Sequence, residues 1–101
     1  MRPLNEIKRL PFTDLSLLEI AQIQLNDEIG KVRAEYNRVK ANPVLGKLGL
    51  YYHVGSMHGK IHALIQVIIA HEYHNYAACE AACDDLCTGY RNEINFYVSN
   101  S

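Results

Sequence analysis

Between Ile61 and Tyr76 the chain reads IHALIQVIIAHEYHNY, a stretch whose one formally charged side chain is Glu72. No other segment restricts the fold as much. A helix that is apolar most of the way round needs cover on most of its sides. The run at its centre, ALIQVIIA, falls far short of the roughly 20 residues that cross a bilayer. The segment therefore belongs inside a bundle of helices, away from a membrane.

The helix that can cover it is written further up the chain. Leu15, Leu18, Gln22, Leu25, Ile29, Val32, Tyr36 and Val39 recur in steps of three and four, an a/d seam broken only at Gln22. Leu17, Ile20 and Ile23 add a second stripe on the N-terminal half. Thr13 fits an N-cap, with Asp14 at the positive end of the helix dipole. Phe12 and Leu17 occupy the positions of a hydrophobic staple, and Asp27 and Lys31 an i,i+4 pair. Pro43 disfavours α conformation at Asn42. The pattern predicts a helix over about 14–41.

Beyond it lie glycines at 46, 49, 55 and 59. Asn42 and Pro43 suit the N-cap and first position of a new helix, yet each interior glycine costs about 1 kcal/mol against alanine. A helix unbroken from 43 to 88 would also run for about 70 Å with nothing of that length to pack on. The expectation is a hinge or short helix over 42–55, then a second long helix over about 56–88. Its apolar face is Met57, Ile61, Leu64, Ile65, Ile68, Cys79, Cys83, Leu86 and Tyr90. Gly55 and Gly59 form a small-xxx-small pair that admits a neighbouring backbone. Gly89 reads as the C′ residue, leaving a short segment over 89–101; its EINFYV alternates like a strand but has nothing to pair with. The fold class is all-α: one domain over 1–101, a long antiparallel helical hairpin with a glycine-rich hinge. One partner helix cannot cover the second helix, so homo-oligomerisation should complete the bundle.

Charge narrows the partners. The net charge is −1, with +2 in residues 1–50 and −3 in residues 51–101, so no global field attracts nucleic acid. Lys31, Arg33, Arg38, Lys40 and Lys47 make only a modest basic end, without a helix-turn-helix pattern. Cys79, Cys83 and Cys87 lie four apart, a spacing that fits disulfide geometry poorly. They read as small buried hydrophobes in a reducing compartment. The N-terminal MRPLNEIKRLPFTD has no apolar signal region, and the expected location is cytoplasmic.

Two constellations compete for function. The first centres on Glu72. If residues facing each other across the hairpin sum to about 97, Gln22 falls opposite 72–75. Gln22, Glu72 and Asn75, with His71 and Tyr76 beside them, would then form one polar layer. Such a layer either fixes register or holds a small molecule or metal. His58 and His62 have metal-ligand spacing, but no third ligand shares their face. The second constellation is a recognition surface near the hinge, built from Tyr51, Tyr52, Lys47 and Arg38, residue types that anchor interfaces. No nucleophile stands against a base at readable spacing, and there is no phosphate loop. The sequence thus favours a non-enzymatic helical adaptor or inhibitor, of the small phage-encoded kind by analogy alone. It would act on itself and on another protein, with neither cofactor nor metal. A ligand-binding bundle around Glu72 and the histidines is the alternative.

Overall fold

In the computed structural model, the first long helix opens at Ser16, not at Thr13. The structure describes residues 2–71 and 76–101, apart from the side chains of Ile69, Tyr76 and Cys79. The Ser16 hydroxyl accepts the Glu19 N–H at 3.1 Å, and the Glu19 carboxylate accepts the Ser16 N–H at 3.0 Å. This reciprocal capping box satisfies two donors that a helix start otherwise leaves open. It outcompetes Thr13, and Phe12–Asp14 form a separate 3₁₀ turn. The chain order is α1 (Leu4–Ile7), that turn, α2 (Leu17–Ala41), α3 (Pro43–His71) and α4 (Tyr76–Ser99). The all-α expectation holds among the described residues. No described helix is long and apolar enough to cross a membrane.

Three expectations about the second half are corrected. First, no hinge separates α2 from α3. Asn42 alone lies between them; its carbonyl accepts the Gly46 N–H and its side chain the Leu45 N–H. The glycines at 46, 49, 55 and 59 all lie within α3. Second, the helix expected over 56–88 is divided between α3 and α4. The second part, α4, returns along the other two, with Cys83 against Ile68 and Ile94 in the shared core. Third, α4 passes through Gly89 to Ser99. The strand-like EINFYV is its last part, with Ile94 buried.

A one-residue turn also tightens the register. Glu28 meets Ser56, Glu35 meets Gly49 and Val39 meets Gly46, so facing numbers sum to about 84–85 there, not 97. Leu25, Ile29, Val32 and Val39 of the predicted seam are buried against Leu50, Val54, Met57 and Ile61 of α3, with Cys87 and Ile94 of α4. A second cluster joins Ala21, Ile68 and Cys83. Ala21 and Glu28 are buried as well, so α2's inward face is wider than a coiled-coil seam. Lys31 pairs with Glu28 at 3.5 Å instead of with Asp27.

The Cα trace measures 47 × 27 × 16 Å. Its radius of gyration is 15.0 Å, against about 13 Å for a compact domain of this length. The molecule is a slab of helices, and one long side of α3 is left facing out.

Candidate interaction surface

The site forms where α2 ends and α3 begins, and two glycines let it form. A Cβ at Gly46 would stand 2.6 Å from the Cα of Val39, so the backbones of α2 and α3 touch there. A Cβ at Gly49 would collide with the Glu35 carboxylate. That close approach turns the inward side of α3 into α2 and rotates Val44, Leu45, Leu48, Tyr51 and Tyr52 outward. All five are large and apolar or aromatic, and Leu48 and Tyr52 are 72% and 73% exposed. Together they form an exposed apolar stripe, the kind of feature that partner surfaces are built on.

Beside this stripe lies a groove of about 510 Å³, lined by Arg38, Leu45, Leu48, Gly49 and Tyr52. Gly49, one of its lining residues, packs against Glu35. The Glu35 carboxylate holds Arg38 at 3.4 Å, while its second oxygen is buried without a hydrogen-bond partner. Lys47 is exposed on the neighbouring turn. Lys40 leans over the Tyr36 ring, 5.0 Å from its centroid. The surface is an apolar strip with cationic edges.

Of the residues expected at this end, Arg38 and Tyr52 line the groove, and Tyr51 and Lys47 stand exposed beside it. Nothing in the sequence singles out Leu45 and Leu48. A leucine in a helix reads as core, and only the depth of the α2–α3 contact shows them to be outside.

The sequence points to a polar layer of Gln22, Glu72, Asn75, His71 and Tyr76. Glu72 and Asn75 lie outside the described residues, as does the Tyr76 side chain. His71 is exposed at the end of α3. Gln22 follows Ala21, which packs with Ile68, so it comes level with the last turns of α3. Its side-chain oxygen is buried without a hydrogen-bond partner. His58 and His62 are exposed. Among the described residues no three His, Cys, Asp or Glu side chains converge.

The most deeply buried carboxylate among the described residues is Glu28, 3% exposed. It accepts the Ser56 hydroxyl at 2.9 Å and the Lys60 ammonium at 3.2 Å; Lys31 lies at 3.5 Å and His53 Nδ1 at 4.0 Å. Burial pushes its pKa up, but the hydrogen bonds from Ser56 and Lys60 and the lysine charges outweigh this and hold it below the ordinary value. Ser56 gives its proton to Glu28, so it is not set up as a nucleophile against His53. The cluster clamps α2 to α3. Its only sequence signal was Ser56 and Lys60 sharing one helix face by their i,i+4 spacing.

Comparison with models of known protein families, with curated proteins and with solved structures finds no match.

Proposed function

We propose that the chain is a non-enzymatic interaction protein, an adaptor or inhibitor, that docks another polypeptide on the outer side of α3 and the groove at its N-terminal end. One observation carries this reading: Leu48 and Tyr52 stand nearly three-quarters exposed beside a groove that includes the Arg38 guanidinium. Burying a large aliphatic or aromatic side chain is worth about 1.5–3 kcal/mol, so leaving several in water is a cost that a partner removes. Aromatic and arginine side chains on a rigid helix are also the anchors that dominate interface energies.

Site-specific photo-crosslinking in cells tests the reading. A photoreactive residue at position 48 or 52 should capture a discrete polypeptide. The same residue at Gln24, exposed on α2, should not. Leu48→Asp combined with Tyr52→Ser should leave the helical content unchanged and abolish capture at a neighbouring probe. Equal capture from position 24, or none from 48 and 52, sinks the reading.

A further inference from the structure

We infer that the polypeptide on this face is a second copy of the chain, its α3 antiparallel to the first across their outer sides with Gly59 at the two-fold axis. The inference rests on the docking reading above and names its occupant.

Charge argues for it first. Over Pro43–His71 the only Lys, Arg, Asp or Glu residues are Lys47 and Lys60. Lys60 turns inward to Glu28, so the outer side of α3 carries no charge along its length, and Lys47 flanks it at one end. A partner for such a face is itself uncharged along the contact, and α3 meets that description. An anionic membrane would call for cations along the whole strip, and beyond Lys47 at its one end the outer side of α3 has none. Orientation follows from the ends. A parallel pair would set Lys47 against Lys47 of the second copy, which is repulsive. An antiparallel pair sets Lys47 near the far end of the second copy's α3, where α4 begins. Cys83 packs with Ile68, so Glu80, exposed and about one turn earlier in α4, lies level with that end. The Lys47 end of one copy thus meets the end of the other at which Glu80 stands. Complementary potentials of this kind fix register and orientation.

Shape gives the same register. Leu48, Tyr52, Gly55, Gly59, Ala63 and Ala70 recur in steps of three, four and seven on one exposed side. The middle of α3 is Met57, and the outward Gly55 and Gly59 lie equally near it; of the two, only Gly59 on the axis sets Leu48 against an alanine. With it on the axis, Leu48 faces Ala70, Tyr52 faces Gln66 and Gly55 faces Ala63 of the second copy. The large Leu48 at one end opposes the small Ala70 at the other, and small residues meet near the axis, an interlocking that helix pairs use. Within one chain Gly55 and Gly59 have no evident use, because a Cβ at either would meet nothing within 4 Å. Across the axis they let the two backbones approach.

Sedimentation equilibrium of the purified full chain is the test. The expected wild-type mass is twice the 11.5 kDa of one chain. Leu48→Asp and Gly59→Leu should each raise the dimer dissociation constant by about tenfold or more. Both sites are exposed in the single chain, so circular dichroism should show the helices intact. Gly59→Leu is the sharper probe, since leucine improves helix propensity and only a contact across the axis opposes it. Lys47→Glu and Glu80→Lys should each weaken the dimer, and the double variant should recover it. A monomeric wild type at about 100 μM, far above the dissociation constants of specific dimers, overturns the inference. So does a dimer indifferent to Leu48→Asp and Gly59→Leu, or one in which charge reversal at 47 and 80 shows no recovery. If the chain is monomeric but position 48 still captures a different polypeptide, the docking reading stands and the second copy is wrong. If it is monomeric and position 48 captures nothing, both fail.

Discussion

The backbone of Gly46 on α3 lies against that of Val39 on α2, so close that a Cβ at position 46 would stand 2.6 Å from the Val39 Cα and 2.7 Å from its nitrogen. Backbone atoms cannot swing aside as side chains do. Gly46→Ala therefore sets two effects against each other. Alanine gains about 1 kcal/mol in helix propensity, while forcing two packed helices apart costs typically about 1–3 kcal/mol or more. The clash should win, with a net loss of about 1–2 kcal/mol in urea unfolding. Gly30→Ala is the control. A Cβ there meets nothing within 4 Å, so that variant should gain stability. If Gly46→Ala also gains, the close approach is not as described.

At the other side of α2, Arg33 holds Glu93 of α4 through two hydrogen bonds of 2.6 and 2.9 Å, and the Tyr97 hydroxyl donates to the same carboxylate at 2.6 Å. Tyr97 also packs on Tyr36, with ring centroids 4.6 Å apart. Arg33 is half exposed, and solvent screening limits even a bidentate pair to about 1 kcal/mol. Arg33→Ala and Tyr97→Phe should each cost about 1 kcal/mol. Because both act on one carboxylate, the double variant should not show the simple sum. Hydrogen exchange should quicken in the last turns of α4 before it does in α2. Uniform quickening would mean that this contact does not anchor α4.

What could be read from the sequence follows from the range of each interaction. The α2 seam from Leu18 onward, its end at Ala41 and the restart at Asn42 and Pro43 depend on neighbours within a few residues, and these are present, while Leu15 falls before the helix. The glycines misled because their cost is local while the compensation at Gly46 and Gly49 comes from α2. Glu28 gives no sign of its role because its partners Ser56 and Lys60 come from the neighbouring helix, and only the register of the hairpin brings them to it. For the candidate surface, closeness to the turn identified Arg38 and Tyr52. Leu45 and Leu48 needed the structure, because periodicity gives the faces of a helix but not which one is left uncovered.

The start of α2 should titrate in acid. Arg2 donates twice to Glu19, at 2.7 Å each, and this pairing with the Ser16 bonds lowers the Glu19 pKa to about 2. A folded pKa below the unfolded one means that the unfolded chain binds more protons. The contribution is therefore complete above the ordinary value of 4.5 and is lost as pH falls from there through about 2. Ser16→Ala should cost about 1 kcal/mol near neutral pH, the usual effect of losing a cap. Glu19→Gln should flatten the fall in stability between pH 4.5 and about 2. A melting-temperature profile as steep as the wild type over that range would rule out the pairing.

Glu28 should add to the acid dependence by a different route, because its charge is almost wholly buried. One carboxylate there faces Lys31 from its own helix and His53, Ser56 and Lys60 from α3. Its pKa is held below the usual carboxylate value despite the burial that opposes ionisation. The sign matches that of Glu19: the unfolded chain takes up the proton first, and the stabilisation present above 4.5 fades as pH falls through the lower folded value. Glu28→Gln keeps the shape but gives up a charge-assisted acceptor facing three cationic or ionisable groups, so it should cost about 2 kcal/mol at neutral pH. Below the folded pKa the difference from wild type should nearly vanish, since protonated Glu28 is close to a glutamine in what it can accept. Glu28→Leu is the informative companion. Breaking a buried pair by removing one partner is more damaging than an apolar replacement of the whole group, and a leucine in place of Glu28 would leave Lys60 and Ser56 without their acceptor. The double variant Glu28→Leu with Lys60→Met should therefore recover part of the loss. If the single and double variants are equally unstable, the clamp between α2 and α3 is not held through Lys60.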